Sequence, residues 1–202
     1  SSLGAAALAH GGKLNWTTPF LGTNIGGEYP VKELIKQLKT KKIVGVASGR
    51  AEFGPRALGN RSFIANPADP NMKDILNARI KFREWFRPFA PSVTEENCQE
   101  YFDIDVPSPF MLYTCPVKKP DLVPSITHVD GTARVQTVSK NDNPTYYELI
   151  REVEKYTNIP MVLNTSLNIN GQPIVETIED AIDLFNNSDV DAIVINNRMI
   201  LK

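Results

Sequence analysis

Cysteine, histidine and long apolar runs are all scarce in this 202-residue chain, and each scarcity removes a class of function. Cys98 and Cys115 have neither metal-site nor dithiol-motif spacing, so they read as reduced, partly buried thiols. His10 and His128 are too few for a histidine-rich metal centre, and no residue is assigned to a metal. No stretch approaches the length of a membrane span. The N-terminal LGAAALAH lacks the charged start and longer apolar core of a signal peptide, so a cytoplasmic protein is expected. A net charge of −1 argues against a general nucleic-acid binder. No segment repeats.

What is present is a core and a concentrated charge. With 42% apolar residues the chain can bury a sizeable interior, and its length fits one large domain or one domain plus a fragment. Between Gly49 and Pro91 there are eight Lys/Arg against four Asp/Glu, about +4, which leaves about −5 elsewhere. A basic zone in a mildly acidic protein points to a small anionic ligand rather than a long polyanion.

The coarse organisation follows from periodicity and turn chemistry. Ser1 to Tyr29 reads as a short helix and a Gly/Pro/Thr/Asn-rich connector, with the folded body starting near Pro30. VKELIKQLKT places Val31, Leu34, Ile35 and Leu38 on one helical face, and KIVGVASG reads as a buried strand. Asp69-Pro70 predicts a helix start running through about Arg79. FMLYTCPV and TARVQTVS read as strands. Asn143-Pro144 opens a helix with Leu149, Ile150 and Val153 facing inward, MVLN is a short strand, and Thr177 to Asp180 is a capping box. DAIVIN and RMILK close the chain as two strands about an Asn196-Asn197 turn. Strands and helices mix without strict alternation, which predicts an α/β or α+β mixed sheet rather than a doubly wound parallel one.

The chemistry is concentrated in two arginine-rich segments. In GRAEFGPRALGNRS, Arg50, Arg56 and Arg61 fall within twelve residues, interleaved with Phe53, Leu58 and Phe63, and Gly54-Pro55 and Gly59 fix the backbone around Arg56. Guanidinium forks match phosphate and carboxylate oxygens, and glycine lets main-chain N–H groups approach a ligand. In IKFREWFRPFAP, Lys81, Arg83 and Arg87 alternate with Phe82, Trp85, Phe86 and Phe89. So many aromatics predict a packed segment that draws its cations toward one pocket, with Glu84 neutralising one of them and core packing favoured over base stacking. Glu52 reads as a structural partner for an arginine. Arg134 in HVDGTARVQTV adds a cation on a strand, and Asn164, Thr165 and Ser166 place short polar groups at a strand end, with a capped turn as the competing reading.

These blocks, together with SPFM and LNTSLNINGQPIV and in this order, resemble the carbamoyltransferase family that decorates antibiotics and nodulation factors, from about Pro30 to Lys202. The resemblance is to the family's C-terminal part and implies a YrdC-like twisted mixed β-sheet with flanking helices. It implies that carbamoyl phosphate and ATP, with Mg²⁺ on the polyphosphate, become carbamoyl adenylate there. Transfer to an acceptor hydroxyl belongs to an N-terminal actin/Hsp70-like part that holds the family's metal ion. Residues 1–29 are accordingly expected to be a remnant of that part plus a linker, and 30–202 the YrdC-like domain.

Carried over by motif, Arg56, Lys81 and Arg87 would bind the reacting phosphates. Arg134 and Asn164 would complete the pocket, and Arg50, Arg61, Arg83, Thr165 and Ser166 would add substrate contacts. The expected partners are the two substrates and the actin/Hsp70-like domain or subunit. A homodimer is a second use for the small-residue helix. A non-catalytic nucleotide-binding or scaffolding module is the alternative, and RNA binding a third that the charge disfavours.

Overall fold

A computed structural model describes residues 2–13 and 15–202. Among the described residues, nine strands form a seven-stranded mixed sheet and a two-stranded ribbon. The chain runs α1 (Ser2–His10), α2 (Val31–Lys39), β1 (Val44–Ala47), β2 (Arg61–Ala65), α3 (Met72–Leu76), β3 (Ala90–Thr94) and α4 (Cys98–Tyr101). It continues through β4 (Thr114–Pro116), β5 (Thr132–Arg134), β6 (Gln136–Val138), α5 (Pro144–Thr157), β7 (Met161–Ser166), α6 (Ile178–Asn187), β8 (Ala192–Ile195) and β9 (Arg198–Leu201). Sheet order is β6-β3-β7-β2-β1-β8-β9, with β1–β8 and β3–β6 parallel and the other neighbours antiparallel. The ribbon pairs β4 with β5.

Alternating side chains sort to two cores, as a pleated strand requires. Phe63, Met161 and Leu163 join one core, with Met72 and Leu76 of α3 and Leu184 of α6. Ile64, Val162 and Val44 join the other, beneath α2 and α5. Helix α5 begins where Asn143 accepts the Tyr146 N–H, with Pro144 at its first position. It buries Tyr146, Leu149, Ile150 and Val153, each contributing roughly 1.5–3 kcal/mol of apolar transfer. The Thr177/Asp180 capping box opens α6, and Asn196 and Asn197, at φ 47° and 67°, turn the chain between β8 and β9.

Several expectations need correcting: FMLYTCPV is a strand only over Thr114–Pro116, and TARVQTVS divides into β5 and β6, which join different sheets. The helix expected from Asp69 starts at Met72, because the Asp69 side chain instead accepts the Asn71 N–H. That helix then widens into a π-helical turn over Asn77–Lys81 and stops at Phe82, held left-handed at φ 45°. The connector before Pro30 lies on the body: Ile25 is buried, and Gly22 and Ile25 donate to the carbonyls of Ala51 and Gly49. Strand β7 extends beyond MVLN to Ser166. No helix among the described residues is long and apolar enough to cross a membrane.

Candidate functional site: a cationic cleft at the end of β7

The central strands deliver polar groups to one end of the sheet. Asn164, Thr165 and Ser166 finish β7, Ala90 begins β3, Arg134 ends β5, and the 55–57 loop lies across them. Together with Arg56, Arg83, Phe89 and Met111 they line a cleft of about 100 Å³. That is about three waters' worth of space, enough for a phosphate-sized group and too small for a nucleotide. The loop is held close by Gly59, at φ 123°, where a Cβ would lie 2.5 Å from the Tyr146 ring. Met111, at φ 54°, is a non-glycine residue in left-handed backbone beside the cleft, a conformation that persists only where surrounding structure imposes it.

Three guanidinium groups, those of Arg56, Arg83 and Arg134, line this space. Arg83 donates Nε to Asn77 Oδ1 at 2.7 Å and lies 4.6 Å over the Phe89 ring. Burial and then the field of Arg87, with a smaller push from Arg134, bring it down to about 10. Burial lowers Arg134 as well, followed by Arg56, and its Nε is buried without a hydrogen-bond partner. Cations held together in partial burial are under repulsion that a bound anion would relieve.

The cleft shares Pro55, Arg56, Met111 and Arg134 with a larger chamber of about 640 Å³. Its other walls are mostly apolar, including Trp16, Phe53 and Phe110, with Trp16 and Phe110 stacked at 5.9 Å. This chamber falls in the range of drug-sized ligand pockets. A cavity of about 520 Å³ lies elsewhere, beside Thr137 and Ser139, and carries Glu95, Glu96 and Asp105 against Lys140. Its charge is wrong for an anion.

Six of the ten sequence-derived site residues line the cleft: Arg56, Arg83, Arg134, Asn164, Thr165 and Ser166. The other four are placed differently. Arg61 is fully buried, and its guanidinium donates to the main-chain carbonyls of Thr23, Ser48, Gly49, Asn60 and Glu176. Lys81 is buried behind the cleft wall, donating to Ser166 O at 2.6 Å, Asn168 Oδ1 at 2.8 Å and Asn168 O at 2.9 Å. Burial, and then Arg83, bring its ammonium down to about 7. Arg87 is half exposed, 3.6 Å from Glu84, and Arg50 is exposed and donates to Leu21 O.

The aromatic segment also differs from expectation. Only Phe89 is buried, while Phe82, Trp85 and Phe86 are 58%, 66% and 53% exposed. Asn77 takes over the holding role expected of them: its Nδ2 donates to the carbonyls of Trp85 and Arg87. Glu52 meets Arg61 through the main chain rather than the guanidinium. Its Oε1 accepts the N–H groups of Leu58, Asn60 and Arg61, and burial raises its carboxyl despite them.

Residues that sequence reasoning left without roles complete the site. Ser92 and Gln136 bond to Asn164 beneath the cleft, Asn168 receives Lys81, and Met111 forms wall in both chambers. All but Ser92 lie in motifs already singled out, HVDGTARVQTV, LNTSLNINGQPIV and SPFM. Their proximity to Arg56 comes only from the sheet order.

Residues 35–202 match the family described as Carbamoyltransferase C-terminus. The nodulation protein NolNO of Sinorhizobium fredii is 47% identical over 165 residues, covering 79% of this chain and 24% of that protein. An uncharacterized protein of Methanocaldococcus jannaschii is 40% identical over 191 residues, covering 93% and 31%. The chain thus spans about a quarter to a third of the length of these curated relatives. Full-length HypF in its phosphate- and nucleotide-bound form superposes with a TM-score of 0.59 at 25% identity, covering 83% of this chain and 25% of HypF. Sua5 of P. abyssi complexed with L-threonine gives 0.57 at 17% identity over 83% of this chain and 47% of Sua5, a likeness of fold alone. The mixed sheet with its flanking helices is the YrdC-like arrangement.

Proposed function

The chain belongs to the carbamoyltransferase family as its C-terminal part, and on that premise we propose that it binds carbamoyl phosphate and ATP and forms carbamoyl adenylate. The observation that carries the reading is that Arg56 and Arg134 line both the small cleft and the larger chamber. A small acyl phosphate fits the first, a nucleoside the second, and the two would meet at shared cations. A HypF structure described as phosphate- and nucleotide-bound supports the pairing of ligands.

The chemistry needs charge neutralisation and alignment more than a nucleophile from the protein. Water cleaves carbamoyl phosphate to carbamate and inorganic phosphate. A carbamate oxygen then attacks the α-phosphorus of ATP, and pyrophosphate leaves with the electron pair of the broken P–O bond. Both partners are anions, so fixed guanidinium groups lower the barrier by holding them in line and stabilising the charge that builds on the phosphoryl oxygens. Arg56, Arg83 and Arg134 supply that field, and Thr165 and Ser166 offer hydroxyls at the same wall. Lys81 would act through the wall it holds, and Arg87 from the rim. Among the described residues no group of three His, Cys, Asp or Glu could hold a metal ion, so Mg²⁺ would arrive on the polyphosphate.

The acceptor site would lie in an actin/Hsp70-like part beyond this chain, to which residues 1–29 would connect. Calorimetric titration with ATP and carbamoyl phosphate, followed by carbamoyl-phosphate-dependent ATP–pyrophosphate exchange, tests the reading. Binding with exchange is expected. Binding without exchange would leave an anion-binding module, and no binding would overturn the assignment.

A further inference from the structure

The arginine-rich loop between β1 and β2 is open at its tip and locked at its base. Phe53, Gly54, Pro55 and Arg56 are exposed, and a Cβ on Gly54 would meet nothing within 4 Å. Residues 57–60 lie in neither helix nor strand, yet side chains bind their peptide groups. Asn164 Nδ2 donates to Ala57 O at 3.1 Å, Gln136 Nε2 to Leu58 O at 3.0 Å, the Tyr29 hydroxyl to Gly59 O, and Arg61 Nη1 to Asn60 O at 2.9 Å. Ser62 Oγ accepts the Gly59 N–H at 3.1 Å. Glu52 Oε1 alone accepts three more N–H groups, from Leu58 at 2.7 Å, Asn60 at 2.8 Å and Arg61 at 3.3 Å.

Main-chain N–H groups turned toward one point form an anion-binding concavity, which in a glycine-rich loop can cradle a ligand's oxygens. Here a carboxylate of the loop itself already fills it. Its bonds from residue 52 to residues 58, 60 and 61 close the loop across its neck, so the 53–56 tip projects from a fixed base. This arrangement keeps a carboxylate where burial raises it. An apolar residue would avoid that burial but leave three N–H groups unpaired. The field of Glu52 is also the wrong one for an anion site, because Glu52 lines the chamber together with Arg56 and Arg134. A negative charge there opposes an anionic ligand, so any help it gives to binding must come through geometry.

We propose that Glu52 is a positioning residue: by filling this concavity it fixes the base of the loop and presents Arg56 to the cleft before a ligand arrives. This rests on Arg56 being a ligand-binding cation of the proposed site. Preorganisation of this kind spares the ligand the entropy of ordering the loop, so it is read as affinity. Asn164 and Gln136 hold the same segment by its carbonyls, and Tyr29 reaches it from the connector. The N–H groups of Leu58, Asn60 and Arg61 then belong to the scaffold, and the loop serves the site through the Arg56 side chain.

Calorimetric titration of carbamoyl phosphate into wild type, Glu52→Leu, Glu52→Gln, Arg56→Ala and the Glu52→Leu/Arg56→Ala double variant tests this, with circular dichroism to check folding. Arg56→Ala should weaken binding roughly 10- to 100-fold, and Glu52→Leu, with Arg56 still present, should lose a similar factor. The double variant should bind no more weakly than Arg56→Ala, because a loop without its cation has nothing left to position. Glu52→Gln keeps an oxygen for the N–H groups and should stay within about threefold of wild type. If Glu52→Leu fails to fold, Glu52→Asp supplies the same cycle, since its carboxylate keeps the charge but falls a methylene short of the N–H groups. It should weaken binding about three- to tenfold with Arg56 present and leave it unchanged in the Arg56→Ala background. Tighter or unchanged binding in Glu52→Leu or Glu52→Asp, a Glu52→Gln as weak as Glu52→Leu, or losses that multiply in a double variant would overturn the proposal. A wild type that binds no carbamoyl phosphate would instead remove the cleft reading, and the inference with it.

Discussion

Arg56 and Arg61 are five residues apart in one motif and meet opposite fates. Arg61 opens β2 and disappears into a shell of five main-chain carbonyls from four separate segments of the chain. Arg56 stays exposed on the lip of a cleft where burial, and then neighbouring guanidinium groups, lower the basicity of Arg83 and Arg134. One guanidinium is saturated by the protein, and the other group is left short of partners. The difference separates a cation that builds the fold from cations proposed to hold a ligand, and only the second kind has free donors to offer.

Breaking the first side of this comparison should give the largest effect. Arg61→Met leaves several buried carbonyls without donors, each at about 1–3 kcal/mol, so more than about 3 kcal/mol of stability should be lost. Arg61→Lys should recover little, because one ammonium cannot reproduce the fork. Urea denaturation with unchanged m-value reads this out, and a loss below about 1 kcal/mol would mean Arg61 is not a structural knot.

On the other side, Arg134→Ala or Arg56→Ala should leave the denaturation midpoint near wild type while costing about 2–4 kcal/mol of transition-state stabilisation in ATP–pyrophosphate exchange. The two changes therefore exchange signatures: Arg61 moves stability, and the cleft arginines move activity. A cleft variant that unfolds as readily as Arg61→Met would erase the distinction.

Local sequence carried much of the fold and only part of this distinction. Helix α5, the α6 capping box and the β8–β9 turn were legible because their signals sit within four residues of one another. The fate of Arg61 was not, because its partners lie at Thr23, Ser48, Gly49 and Glu176 and meet only once the sheet is assembled. The aromatics of IKFREWFRPFAP misled for a related reason. Asn77, fixed at the start of the π-helical turn, binds that loop through its carbonyls, so Phe82, Trp85 and Phe86 need not pack to order it. The motif resemblance gathered strand-end residues that line one cleft, yet it could not tell a cleft lining from the wall behind it.

Lys81 stands between the two classes, buried like Arg61 but adjoining the cleft wall through Ser166. Its folded-state value near 7 lies below the usual 10.5. Well below pH 7 the ammonium is protonated in both states and its full burial cost is present, and well above about 10.5 the amine is neutral in both. In the window between, the unfolded chain binds more protons, so stability should rise with pH by up to about 1.4 kcal/mol per unit. The Lys81→Met variant removes this rise, so wild type should gain on it from pH 7 to 10 in thermal or urea unfolding. A flat difference would mean that the carbonyls of Ser166 and Asn168 fully compensate the buried charge.

Arg87 should give the smallest effect and the sharpest edge to the comparison. It is half exposed, 3.6 Å from Glu84, and outside the cleft lining. An exposed pair of this kind is worth about 0–1 kcal/mol, screened by salt. Its field reaches Arg83, and the role proposed for it is that of a rim cation that steers anions without gripping them. Arg87→Ala should therefore weaken ATP binding less than about fivefold at low ionic strength, and the difference should fade as salt is raised. Arg134→Ala should keep its deficit at high salt, because a half-buried cation is screened far less. If Arg87→Ala were as damaging as Arg134→Ala and equally indifferent to salt, the 82–88 loop would have to close over the ligand. Arg87 would then belong with the cleft arginines.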